Sequence, residues 1–159
     1  MRLWRLSSLQ YASAMDGGYG LLFDGRWNTV GHPVTYAATS PSLCILEKLV
    51  HVEDPALLPA LGMVMYNVAD EIPASHRTTD DLPADWRRQE AMTQRLGDEW
   101  LTANDTALLF VPSAIVPIAD SPDRNVLINP RHSAAAAVQI ARVERFELDI
   151  RLLRECDGK

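Results

Sequence analysis

The segment Ser40-Pro41-Ser42-Leu43-Cys44-Ile45-Leu46-Glu47-Lys48-Leu49-Val50-His51 constrains the chain most. Its start is marked twice. Ser40 suits an N-cap, and Pro41 stands at the first helical position, where its missing N–H costs nothing. Leu43, Leu46, Leu49 and Val50 follow at helical spacing and make one apolar side. The pattern predicts a helix over 41–52. Glu47 is four residues after Leu43 and three before Val50, so it borders the buried arc, with His51 one turn further on. An ionised carboxylate at that margin is costly unless it is paired or hydrogen-bonded.

The stretch before this helix, Gly25 to Ala37, carries Arg26, Trp27 and Tyr36 on a strand-like segment. A guanidinium is a fork that matches a carboxylate or a diphosphate bidentately, so Arg26 is either an anion clamp or an ordinary turn arginine. Tyr36, in a buried strand predicted at 34–38, is a platform for an aromatic ring or a core tyrosine with a hydrogen-bonded tip. Glu47 either pairs with His51 or Arg26 for structure, or stabilises positive charge developing on a sugar. His51 reads as a packing or capping residue, with ligand contact as the alternative. An arginine, an aromatic and a carboxylate in so short a stretch suit a pocket for a phosphorylated, ring-bearing ligand.

The rest of the chain reads as more strands than helices, without regular alternation. Strands are expected at 3–6, 62–69, 107–111, 114–118 and 143–148. A short helix capped by Ser7 or Ser8 is expected through Ala14, then a glycine-rich loop through Gly20, a surface loop over 70–85 and a helix over 86–103. This favours a mixed α+β domain spanning 1–159 over a doubly wound sheet. The 159 residues suffice for one core.

Several functions are disfavoured. The formal net charge is −6 with no run of lysine or arginine, which argues against sequence-independent nucleic-acid binding. No stretch approaches the roughly 18 apolar residues of a membrane span, and the N-terminus lacks the pattern of a signal peptide. The cytoplasm is the expected location. Cys44 and Cys156 read as free thiols. The histidines at 32, 51, 76 and 132 show no metal pattern, so no metal is expected. Ser113 lacks the G-x-S-x-G elbow of a hydrolase nucleophile. Asn125, Asn129 and His132 are placed on a loop, in local hydrogen bonding or ligand contact.

Several blocks together resemble the RES domain family, toxins of bacterial toxin–antitoxin pairs. They are Leu3-Trp4-Arg5, the G-R-W-N-x-x-G-x-P-V-x-Y block from Gly25 to Tyr36, and L-E-K-L-V-H from Leu46 to His51. Pro112-Ser113, the run from Asn125 to His132, and Leu148 to Leu152 complete the set. The resemblance implies a fold with mixed, mainly antiparallel sheets like that of diphtheria-toxin-type ADP-ribosyltransferases. It implies an enzyme that takes NAD as substrate. The family's arginine, glutamate and serine fall on Arg26, Glu47 and Ser113. With Tyr36 these are the expected catalytic residues, and Arg26, Trp27, Tyr36, His51 and Asn125 the expected NAD contacts. The implied partner is an Xre-type helix-turn-helix antitoxin that blocks the NAD site, in an assembly built on a toxin dimer. Relatives in this family hydrolyse NAD, split it with inorganic phosphate, or pass ADP-ribose to a protein acceptor. The segment Gly20-Leu21-Leu22-Phe23-Asp24 departs from the glycine- and arginine-rich approach of many relatives. A non-catalytic module held in an antitoxin complex is the alternative of another class.

Overall fold

The computed structural model describes residues 1–153; Cys156 lies outside them. Seven strands form one sheet: β1 (Arg2–Ser8), β2 (Thr35–Ala38), β3 (Leu61–Val68), β4 (Ala74–His76), β5 (Leu108–Pro112), β6 (Arg124–Ile128) and β7 (Val138–Phe146). Their order is β4-β5-β6-β2-β1-β3-β7. Every pairing is antiparallel except that of β4 with β5. The three α-helices described are α1 (Gly18–Leu22), α2 (Pro41–Leu49) and α3 (Glu90–Ala103). This is the α+β architecture expected, with a mixed and mainly antiparallel sheet. No helix among the described residues is long and apolar enough to cross a membrane.

Side chains alternate across a strand, so the sheet has two distinct faces. One buries Leu3, Ala37, Val64, Tyr66, Phe110, Val126 and Ile128. The other buries Leu109, Val111 and Leu127 together with Trp27, Trp86 and Leu101. Beside this second core, α2 sets Leu43 and Cys44 against Ala38, with Trp4, Leu6 and Met63 around them. Ser40 caps α2 as expected, its hydroxyl accepting from the Leu43 N–H at 3.2 Å. The helix ends at Leu49, not residue 52. The N–H groups of His51 and Val52 bond the carbonyls three residues back, a tightened last turn that closes the helix.

Other expectations need correction. The segment 114–118 is not a strand. The Ser113 hydroxyl accepts from the N–H groups of Ile115 and Val116 at 3.0 and 3.2 Å, and this local turn outcompetes the β propensity of Ile115-Val116. The glycine-rich stretch includes α1, and the short helix after Ser8 is only a 3₁₀ turn at Leu9–Tyr11 without a side-chain cap. The 70–85 loop contains β4, which completes the sheet edge beside β5. Asn125 lies on β6, not on a loop. The last strand starts at Val138, five residues earlier than expected.

The helix expected over 86–103 is split into a 3₁₀ turn at Trp86–Arg88 and α3. Gln89 breaks it at ψ 64°, and its side chain bonds back to Asp85. Gly97 costs α3 helix propensity, and the structure shows why no other residue fits. A Cβ there would lie 1.8 Å from the Trp27 carbonyl oxygen. The helix therefore crosses the turn that carries Arg26 and Trp27 in backbone contact. Alanine at 97 would gain about 1 kcal/mol of propensity but overpack backbone against backbone, at a cost of about 1–3 kcal/mol or more. Gly97→Ala is expected to lower the urea midpoint of unfolding, and an unchanged or raised midpoint would contradict this contact.

Candidate active site

The second sheet face collects the polar residues. Ala38 on β2 and Val111 on β5 both pair with Asn125 on β6, and Tyr36 pairs with Leu127. Directly paired residues share a face, as do residues two apart. Tyr36 and Asn125 are therefore diagonal neighbours on adjacent strands, and Ser113, two residues beyond Val111, continues that face. Glu47 follows Leu43 by four residues and Cys44 by three. The burial of those two against Ala38 turns Glu47 toward the same ground.

Two donors meet there on one atom. The Ser113 hydroxyl donates to Glu47 Oε1 at 2.9 Å, and the Asn125 amide donates to the same oxygen at 2.6 Å. Glu47 Oε2 has no hydrogen-bond partner among the described residues. Glu47 and Asn125 are half-buried, while Ser113 is fully buried. Ser113 thus spends its two lone pairs on backbone N–H groups and its one proton on the carboxylate. A hydroxyl so engaged orients a neighbour and is not poised as a nucleophile.

Tyr36 presents its ring beside this group and turns its hydroxyl away. The hydroxyl donates to Asn28 Oδ1 at 2.7 Å and accepts from the Trp27 N–H at 3.1 Å. Burial pushes the phenol well above its ordinary range, more than the Trp27 hydrogen bond lowers it, and the charge of Glu47 adds a smaller push the same way. Tyr36 stays protonated at neutral pH. Cys44, one turn before Glu47, is pushed up to about 12, chiefly by burial, so its thiol is not a nucleophile.

Arg26 is placed by a different set of contacts. Its Nη2 donates to the Trp86 carbonyl at 2.9 Å, and the guanidinium lies over the Trp86 ring, 5.4 Å from the centroid. Its Nε is buried without a hydrogen-bond partner. The carbonyl of Arg26 accepts from Thr93 on α3, and that of Gly25 from Gln94, so two helix side chains fix the turn. Trp27 is 1% exposed and packs on Trp86 at 6.0 Å between ring centroids. It is core beneath Arg26 and offers almost no surface of its own. His51 lies exposed in the turn after α2 and takes no part in the Glu47 hydrogen bonds.

The structure therefore brings Glu47, Ser113 and Asn125 into contact, sets Tyr36 on the same face, and holds Arg26 toward Trp86. Two surface clefts lie elsewhere. One of about 570 Å³ runs along α3 past Thr29 and Asp98, and one of about 440 Å³ lies beside Pro130 and His132. Neither is lined by Arg26, Tyr36 or Glu47. Asn129 and His132 serve locally: Asn129 bonds Asn104 at the end of α3, and His132 caps the turn at Ser133–Ala137. Among the described residues no three His, Cys, Asp or Glu gather to hold a metal ion.

Sequence reasoning missed Asn28. It is fully buried, accepts a hydrogen bond from the Tyr36 hydroxyl, and donates to the carbonyls of Phe23 and Thr29. It ties the Arg26 turn to Tyr36. An asparagine between Trp27 and Thr29 in a glycine-flanked turn was the available signal.

The site is thus a half-buried carboxylate, clamped at one oxygen, beside a tyrosine on the mixed sheet of a small α+β protein. The RES domain model matches residues 2–149, and the chain belongs to the RES domain family. The Toxin Res of Pseudomonas putida KT2440 is 40% identical over 154 residues, covering 96% of this chain and 99% of its own. The Prs ADP-ribosylating toxin of Sphingobium sp. strain YBL2 is 34% identical over 159 residues, covering 96% of each. The crystal structure of the M. tuberculosis MbcT–MbcA toxin–antitoxin complex contains a similar fold. Its TM-score is 0.68 at 18% identity, covering 91% of this chain and 83% of that one.

Proposed function

We propose that this protein is the toxin of a toxin–antitoxin pair and cleaves the nicotinamide–ribose bond of NAD, arresting growth by consuming it. One observation carries the reading: Glu47 has one oxygen held by Ser113 and Asn125 and the other free. When nicotinamide leaves, positive charge spreads over the ribose ring, and a fixed carboxylate beside it stabilises that state without having to reorganise. Oε2 meets the ribose, through a hydroxyl or directly at the cationic face. Tyr36 packs near the nicotinamide. The charge of Arg26 and its Nη1, which makes no hydrogen bond among the described residues, suit a diphosphate oxygen. Water then attacks C1 of the ribose and releases its proton to solvent, giving ADP-ribose beside the departed nicotinamide. No strong base is needed, because the cation is already a potent electrophile.

The names of the relatives support toxicity, and that of the Sphingobium protein supports ADP-ribose chemistry. That name also favours a second reading, in which ADP-ribose passes to a protein. The partner in either case is an antitoxin of the Xre type that covers the NAD site. The first test is purified protein with NAD, followed by nicotinamide release. Free ADP-ribose as the co-product supports hydrolysis. A product that forms only with inorganic phosphate supports phosphorolysis, and a discrete labelled band from labelled NAD in a lysate supports transfer. No nicotinamide release under any of these conditions would overturn the enzyme reading.

A further inference from the structure

Glu47 Oε1 carries two donors and Oε2 none among the described residues, an asymmetry that has a cause in the fold. The last torsion of a glutamate is broad and nearly two-fold, so an unrestrained carboxylate swings and exchanges its oxygens. Two donors on a single oxygen stop both motions. Because a carboxylate has nothing to donate, the Asn125 amide must turn its NH₂ toward Glu47 and its carbonyl oxygen away.

Asn125 is itself fixed more firmly than a ligand-contacting loop residue would be. It pairs with Ala38 on one side and Val111 on the other. One residue earlier, the Arg124 N–H donates to Thr39 Oγ1 at 2.8 Å, and the Thr39 N–H donates to the Arg124 carbonyl at 3.0 Å. Thr39 Oγ1 also donates to the Pro122 carbonyl at 2.6 Å. The start of β6 is thus locked to the β2–α2 junction, and the lock sets the distance between Asn125 and the helix that carries Glu47.

We infer that Asn125 is a positioning residue: with Ser113 it pins Oε1, dedicates Oε2 to the substrate, and acts through Glu47 instead of touching NAD. This rests on the reading of Glu47 as the group that meets the ribosyl cation. It replaces the direct NAD contact expected for Asn125 from sequence.

The test compares wild type, Asn125→Ala and Asn125→Asp by nicotinamide release across pH. Asn125→Ala is expected to lower kcat on the order of 10- to 100-fold, the cost of a misplaced reacting group, with KM for NAD within about threefold. Asn125→Asp sets two carboxylates at hydrogen-bond distance, and such a pair keeps one proton to higher pH than either group alone. The proton restores a donor to Oε1, so activity should be poor at neutral pH and recover toward acid, where the wild type gains nothing. Neighbouring groups do not mimic this. Cys44 on α2 and Tyr36 on β2 are held protonated, and the exposed His51 and the nearby Arg124 and Asp123 are common to both proteins.

A raised KM with unchanged kcat in Asn125→Ala, or no acid recovery in Asn125→Asp, would overturn the inference while the wild type remains active. An inactive wild type would instead overturn the underlying enzyme reading. If Asn125→Ala fails to fold, the near-isosteric Asn125→Asp carries the test, because its profile is read within one folded sample.

Discussion

Glu47→Gln should lower NAD cleavage by about 100- to 1,000-fold while leaving the fold and NAD binding close to wild type. The hydrogen bonds make this substitution unusually clean. Ser113, with its lone pairs on two backbone N–H groups, can only donate to the side chain at 47, so it draws the glutamine carbonyl oxygen into the place of Oε1, where the Asn125 NH₂ also meets it. The NH₂ is then forced into the place of Oε2. Both clamp bonds survive, weakened from charge-assisted to neutral. What is lost is the negative charge and acceptor that face the ribose. Removing one fixed group of this kind costs about 2.7–4 kcal/mol in comparable sites. Nicotinamide release measures the effect, and a thermal melt checks the fold. Cells should tolerate expression of this variant without an antitoxin. Undiminished release would remove Glu47 from the mechanism.

Arg26→Lys should lose on the order of 100-fold in kcat/KM, carried mainly by KM. The guanidinium is already braced, with Nη2 on the Trp86 carbonyl and its plane over the Trp86 ring. Its Nε is buried, and Nη1 makes no hydrogen bond among the described residues. A diphosphate oxygen would meet Nη1 and the charge at once. A lysine keeps the charge but offers a compact ammonium on a flexible stem, without the planar fork. Each lost hydrogen bond to a charged group is worth about 1.5–3 kcal/mol. Isothermal titration with NAD, on protein whose melting temperature is matched to wild type, reads the loss directly. A Lys variant with unchanged NAD affinity would remove Arg26 from the diphosphate site.

How far these residues were legible in the chain differs from one to the next. The α2 cap and apolar stripe were plain, because helical spacing is local, and they placed Glu47 at the edge of a core. Ser113 was harder. Its neighbours Ile115 and Val116 look like strand, yet their N–H groups bond its hydroxyl. The sequence rule failed at the residue that orients the carboxylate, where local preference gives way to a site. Asn125 was singled out, but its strand and its partner were not. Trp27 looked available and is buried under Arg26. The split before α3 went unseen as well, because the residues flanking the Gln89 bend, Trp86 and Thr93, are tied to Arg26, 60 and 67 residues away.

Local chemistry written in the chain determined α2, a capped helix with a glutamate at its margin, and the strands β1, β2, β3 and β5 close to their bounds. Only the tertiary structure decided which donors reach Glu47. Ser113 is 66 residues away in sequence and Asn125 78. No periodicity encodes contacts over such distances. They follow from the register in which β5, β6 and β2 pair, and from the packing that lays α2 across them. A slip of one residue in that register would turn Asn125 to the opposite face, and Glu47 would lose one of its two clamps.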